Sequence, residues 1–154
     1  MSTRANIKIQ DSYNELYFYR HSDGYPEVTF KSLKGFVNFY KDGKFRNNVS
    51  QSAGWLILWG AIEYENKSIQ LGKIINNNED YDDWKVGSYE PTTCMHGDVE
   101  YFYVIDLVES ELRAYEVVRK IEKREEWGEA NEKLTLKGKP IQTYSFKIQE
   151  KESR

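Results

Sequence analysis

Cysteine is almost absent. Cys94 stands alone, so no disulfide can form within the chain and no paired-cysteine metal motif can be built. Histidine is nearly as scarce: His21 and His96 are the only two, which confines any imidazole chemistry to two places. There is no long hydrophobic run. The longest apolar stretch, Trp55-Leu56-Ile57-Leu58-Trp59, is far too short to span a bilayer. Excess positive charge is missing too. The 22 basic and 25 acidic residues leave a net charge of −3, which gives no general attraction to nucleic-acid phosphates. There is no phosphate-cradling glycine loop, no nucleophile elbow and no internal repeat. Met1-Ser2-Thr3-Arg4 leads directly into strand-like sequence, so no signal peptide is expected. These absences point to a cytoplasmic protein without a membrane partner.

What is present is aromatic. Of 154 residues, 15% are Phe, Tyr or Trp, and 12 of them are Tyr. Tyrosine buries area while keeping a polar end wet, so a Tyr-rich chain suits strands with one solvated face and suits contact surfaces. The length predicts one domain, taken as residues 1–148, with a polar tail at 149–154.

Residues 5–10 alternate apolar and polar, as does 16–21, and Asp11-Ser12-Tyr13-Asn14 between them is turn-forming. Together they predict a β-hairpin. In the second strand Leu16, Phe18 and Arg20 share one face; Tyr17, Tyr19 and His21 share the other. Ser22-Asp23-Gly24-Tyr25-Pro26-Glu27 reads as a turn into a helix, with Pro26 in the first turn. Leu33, Phe36, Val37 and Tyr40 form one helical stripe. A second helix is expected after Asn48, with Trp55, Leu58, Trp59 and Ile62 as its stripe. Leu56, Ile57 and Ala61 widen that stripe, so this helix is expected to be largely buried. Gly54 and Gly60 within it suggest close approach of another backbone.

Residues 66–85 are polar and turn-rich. Asp80, Asp82 and Asp83 only loosely resemble a calcium loop, lacking the turn glycine and the closing glutamate. Strands are expected at 86–93, broken near Pro91, at 99–107, at 112–120 and at 141–148. The segment 121–139 is dense in charge and reads as a solvated loop or a short helix. The assembled expectation is an α+β fold: an antiparallel sheet with two helices packed on one face, a two-layer sandwich.

Two runs concentrate chemistry-bearing side chains. One gives Tyr19, Arg20, His21, Asp23 and Tyr25; the other gives His96, Asp98 and Glu100. If their strands were neighbours, the two histidines could meet at one edge. Two His and a carboxylate suit a divalent metal. Such a metal could activate water for phosphoester hydrolysis, with Arg20 stabilising the developing charge. Without metal, His21 and His96 could act as general base and acid. Tyr17, Tyr19, Tyr25, Tyr101 and Tyr103 beside Arg20 could instead stack a nucleotide or form a protein-binding surface. Turn and capping chemistry explains Ser-Asp-Gly-Tyr-Pro and His-Gly-Asp equally well.

The motifs Leu16-Tyr17-Phe18-Tyr19-Arg20-His21, Asp23-Gly24-Tyr25-Pro26-Glu27 and His96-Gly97-Asp98-Val99-Glu100-Tyr101, with Thr3-Arg4-Ala5-Asn6-Ile7 before them, resemble a family of small uncharacterised bacteriophage and prophage proteins. The resemblance runs from Thr3 to about Tyr115 and lends no activity. It implies a context, since small acidic phage proteins are often inhibitors or sponges directed at host defence. The expectation is a non-enzymatic accessory protein, cofactor-free. It would bind a host defence protein or a small nucleotide signal, and exposed strand edges favour a homodimer. A metal-dependent phosphoesterase or nuclease and a phage structural or assembly protein are the alternatives.

Overall fold

The computed structural model describes residues 3–43, 46–65, 88–118 and 128–147. Strands β1 (Ala5–Gln10) and β2 (Glu15–Arg20) form the expected hairpin, with Ile7 opposite Phe18. Asp11 builds its turn: Oδ1 accepts the Tyr13 and Asn14 N–H groups, both at 2.8 Å. Its other oxygen, Oδ2, accepts the Val49 N–H at 3.0 Å and so ties the hairpin to the start of a distant helix.

Helix α1 (Pro26–Lys41) begins at Tyr25 with Pro26 in the first turn, and buries Phe30, Leu33, Phe36, Val37 and Tyr40. Helix α2 (Val49–Glu65) is capped by Asn48, whose Oδ1 accepts the Gln51 N–H at 2.8 Å. Its buried line is Val49, Ala53, Leu56 and Gly60 rather than the Trp55–Leu58 line. Ile57 and Leu58 are 39% and 38% exposed, so the helix is not buried all round. Gly60 does admit another backbone. The Ser88 N–H donates to its carbonyl at 3.2 Å, and a Cβ there would lie 2.8 Å from the Tyr89 ring. Gly54 faces open space.

The remaining elements are β3 (Glu90–Thr92), β4 (Tyr101–Asp106), β5 (Glu111–Glu116), α3 (Gly128–Lys137) and β6 (Gln142–Ser145). The sheet order is β3-β2-β1-β4-β5-β6. The fold is α+β, and the sheet is antiparallel except at its centre, where β1 and β4 run parallel. That exception has a topological cause. The chain returns from α2 to the outer edge beside β2, then residues 93–100 pass under β2 and β1 to reach β4. Pro91 is accommodated because β3 is an edge strand.

Both predicted helices pack on one face. Ile7, Ile9, Phe18, Tyr103, Ile105, Leu112 and Ala114 meet Leu33, Phe36, Val37 and Leu56 there in one cluster. At about 25 cal/mol per Å² of apolar surface removed from water, this layer dominates the stabilisation. The two-layer expectation gains a third, partial layer. Part of the charged 121–139 segment is helix α3, and it lies on the opposite face. There Met95, Phe102, Val104 and Tyr115 form a smaller cluster with Tyr17, Val117 and Leu136 against it. Val99, expected within the fourth strand, precedes it and packs in this second layer. The 66–85 segment with Asp80, Asp82 and Asp83, and the 149–154 tail, lie outside the described residues. Among the described residues no helix is long and apolar enough to cross a membrane.

Candidate functional site

Strand alternation decides where β2 sends its side chains. Tyr19 and His21 go to the α3 side with Asn6, the β1 residue opposite Tyr19. The 93–100 crossover then brings His96 beneath them. The Tyr19 and His96 rings stack at 4.0 Å with 14° between their planes. The Tyr19 hydroxyl is hydrogen-bonded to His21 Nδ1 at 2.9 Å. The two histidines therefore meet, through Tyr19, although β1 separates β2 from β4.

His96 is held by its backbone. Asn6 Nδ2 donates to the His96 carbonyl at 2.7 Å, and the His96 N–H donates to Asn6 Oδ1 at 3.2 Å. On its ring, Nε2 lies 3.3 Å from Thr92 Oγ1 and Nδ1 lies 4.0 Å from Asp98 Oδ1. Asp98 is fixed from behind by Arg4, whose Nη1 donates to Oδ2 at 2.8 Å. Glu100 contributes its backbone: its N–H donates to the Arg4 carbonyl, and its carbonyl accepts the Val117 N–H, both at 3.0 Å.

Arg20 does not join this cluster. It points through to the other face, where its guanidinium lies 5.1 Å from the Tyr89 ring centre and Nη1 donates to Glu63 Oε1 at 3.0 Å. The sheet stands between it and both imidazoles, so it cannot neutralise charge developing beside them. Burial pushes the Tyr89 hydroxyl's pKa upward. Asp23 and Tyr25 serve the chain turn. Asp23 adopts positive φ (57°), and its carbonyl accepts the Thr29 hydroxyl at 2.7 Å. The Tyr25 hydroxyl donates to Asp23 Oδ1 at 3.5 Å, at the outer limit of a hydrogen bond. Gly24 between them donates to the Thr3 carbonyl at 2.9 Å and accepts the Tyr103 hydroxyl at 2.6 Å. A side chain there would strike the Arg4 backbone at 2.9 Å, which is why the motif needs glycine.

This geometry limits the chemistry. Tyr19, His96 and Asp98 are buried, and only His21 of the cluster is exposed. A general acid and base must both reach the substrate, whereas here the Tyr19 ring lies against His96. The cavity beside His96 measures about 10 Å³, room for about one water. Among the described residues no group of three or more His, Cys, Asp or Glu side chains could hold a metal ion. Of the tyrosines in the two runs, Tyr19 is buried and Tyr17, Tyr25 and Tyr101 are half-buried. Tyr103 is fully buried and Arg20 already lies over Tyr89.

A different surface stands out. Phe39 of α1 and Ile57 and Leu58 of α2 are each more than a third exposed, and Trp55 is half-buried against Phe39 at 6.1 Å. Ser50, Gln51, Gly54, Trp55 and Leu58 border an open concavity of about 290 Å³. The signal for this ridge was in the sequence. Residues 49–62 carry no charge, and five consecutive apolar residues at 100° apiece point in every direction from a helix axis. One core-facing stripe cannot bury them all.

No protein-family model, no curated protein and no solved structure matches the chain.

Proposed function

We propose that this protein acts by binding: it is a non-enzymatic phage accessory protein that engages a host defence protein through the exposed apolar side chains of α1 and α2. The observation that supports the reading is the exposure of Phe39 and Leu58 on either side of the half-buried Trp55, with Trp55 and Leu58 bordering an open concavity. Soluble proteins rarely leave contiguous apolar surface uncovered without a use for it, and aromatic anchors dominate protein interfaces. The phage context and the host cytoplasm as the place of action rest on the resemblance of the Leu16–His21, Asp23–Glu27 and His96–Tyr101 motifs. The buried Tyr19–His96–Asp98 cluster then has a supporting role, holding the crossover under the sheet.

The test is to express the protein in host strains that each carry one defence system and to plate a phage that the system restricts. Restored plaquing that is lost in a folded Leu58→Asp variant supports the reading. A photoreactive residue at position 58 then identifies the protein engaged. No rescue in any strain, or rescue indifferent to Leu58, overturns it. A nucleotide captured instead of a protein, or a dimer that Leu58→Asp dissociates, reassigns the ridge.

A further inference from the structure

The stretch that forms α1 and α2 carries charge of the opposite sign to the rest of the chain. Of the 22 basic and 25 acidic residues, five and two fall between Pro26 and Ile62, a net of +3, so the remainder carries −6. All five cations precede Val49, and residues 49–62 hold none. Lys31, Lys34, Lys41 and Arg46 are exposed. Among the described residues none of these four forms an ion pair, whereas Arg4, Lys8, Arg20 and Arg113, in or beside the sheet, are each paired with a carboxylate. Lys34 lies over the Tyr144 ring at 4.6 Å.

Two of these cations bracket the exposed apolar side chains. Lys31, Gly35 and Phe39 follow one another at i, i+4 and i+8, one line along α1. That line runs beside α2: a Cβ on Gly35 would lie 2.9 Å from the Trp59 ring, and Phe39 meets the Trp55 and Trp59 rings at 6.1 Å. At 1.5 Å of rise per residue, Lys31 stands about 12 Å along the helix from Phe39. At the other end, the Arg46 N–H donates to Gln51 Oε1, and Gln51 borders the concavity with Trp55 and Leu58. The surface therefore has an uncharged centre between two basic ends.

We infer that this surface takes an acidic amphipathic segment of its partner. The segment lays apolar side chains on Phe39, Trp55 and Leu58, and its carboxylates reach Lys31 at one end and Arg46 at the other. The inference rests on the reading of α1 and α2 as the binding face and names the chemistry of what binds there. Exposed cations at the rim of a contact steer a partner of opposite charge toward it and turn a basic one away. A nucleic acid fits less well. Its phosphates would cross residues 49–62, which offer no cation, and the Trp55 and Trp59 rings are half-buried beside Phe39 rather than open to bases. A second copy fits less well too, because two such faces would set basic ends against basic ends.

Fluorescence anisotropy with two labelled amphipathic peptides, each about 18 residues long, tests this on the full chain. Both carry Leu at helical spacing; one has Glu at its polar positions and the other Lys. The Glu peptide is expected to bind about tenfold tighter at low salt, and the preference should shrink as added salt screens it. Leu58→Ser, which adds no charge, should weaken the Glu peptide about tenfold. The double variant Lys31→Glu/Arg46→Glu changes only exposed side chains, so it should melt like the wild type while reversing the preference. Equal affinity for the two peptides, no binding of the Glu peptide, indifference to Leu58→Ser, or tighter binding of an oligothymidylate overturns the inference. In the plaquing assay the double variant should lose rescue as Leu58→Asp does. Rescue lost in Leu58→Asp but kept in the double variant overturns the acidic partner and leaves the binding face standing. A Glu-peptide preference in a protein that rescues no strain supports the acidic segment and overturns the host-defence reading alone.

Discussion

The two faces of the sheet are covered by different chemistry. Toward α1 and α2 the sheet presents Ile7, Ile9, Phe18, Tyr103, Ile105 and Leu112, and the helices answer with Phe, Leu and Val. Toward α3 and the 93–100 crossover it presents Asn6, Lys8 and Tyr19, answered by the His96 backbone, Glu132 and an imidazole ring, beside the smaller apolar cluster of Met95, Phe102, Val104 and Tyr115. The first face stabilises by removing apolar area from water, which needs bulk and shape but no partner atoms. The second is fixed atom by atom, because each buried polar group left without its partner costs about 1–3 kcal/mol. One face gives the fold its stability; the other gives it a particular arrangement.

Truncation separates the faces most sharply. Leu33 is fully buried in the first layer, and Leu33→Ala should cost about 2–5 kcal/mol in urea denaturation, mostly as a lowered midpoint. Next comes Asn6→Ala, which removes both bonds to the His96 backbone and should cost about 1–3 kcal/mol. It should also loosen residues 93–100 in hydrogen exchange while α1 keeps its protection. Equal loosening of both layers would mean that the faces are not independent.

Within α2 the same contrast appears between two glycines. Gly60→Ala meets the Tyr89 ring and the Ser88 and Tyr89 backbone, and should destabilise by about 1–3 kcal/mol. Gly54→Ala meets nothing, and should stabilise by up to about 1 kcal/mol through helix propensity. Thermal melts of the two variants should therefore move in opposite directions.

The smallest effect lies in acid. Burial pushes the Asp106 carboxyl up, but the Glu109 N–H, Arg113 and Gln10 together hold its pKa below the usual 3.8. A carboxyl depressed in the folded state contributes stability above its unfolded pKa and loses it as pH falls through the folded value. Asp106→Asn should flatten the acid limb of the stability curve below about pH 4 and leave that limb's neutral plateau lower but level. An acid limb unchanged in the variant would place that titration elsewhere.

Local patterns carried most of the architecture. Alternation found β1 and β2, Pro26 and the Leu33–Tyr40 spacing found α1, and the tyrosine and valine pattern found β4. Even the face assignment of β2 was legible, and it already set Arg20 apart from His21. The stripe on α2 was misplaced because Trp55, Leu56, Ile57, Leu58 and Trp59 offer several apolar lines of equal quality. Only Val49 at one end and the Ser88–Tyr89 backbone against Gly60 decide which line turns inward. Helix α3 was obscured because its inward residues are polar, so it has no apolar period to detect.

Residue spacing was enough to locate β1, β2, α1, α2 and β4, because strand and helix are written in spacings of two and of three to four residues that neighbouring side chains obey locally. The sequence by itself also determined the poverty of imidazole and thiol chemistry and the excess of apolar side chains on α2. Tertiary structure alone decided the parallel pairing of β1 with β4, the meeting of His21 and His96 through Tyr19, the departure of Arg20 to Glu63, and the seating of α3 on Lys8. Each of these joins residues far apart in the chain. Such contacts depend on which strand lies beside which and on which face the 93–100 crossover takes, and no short-range period records either.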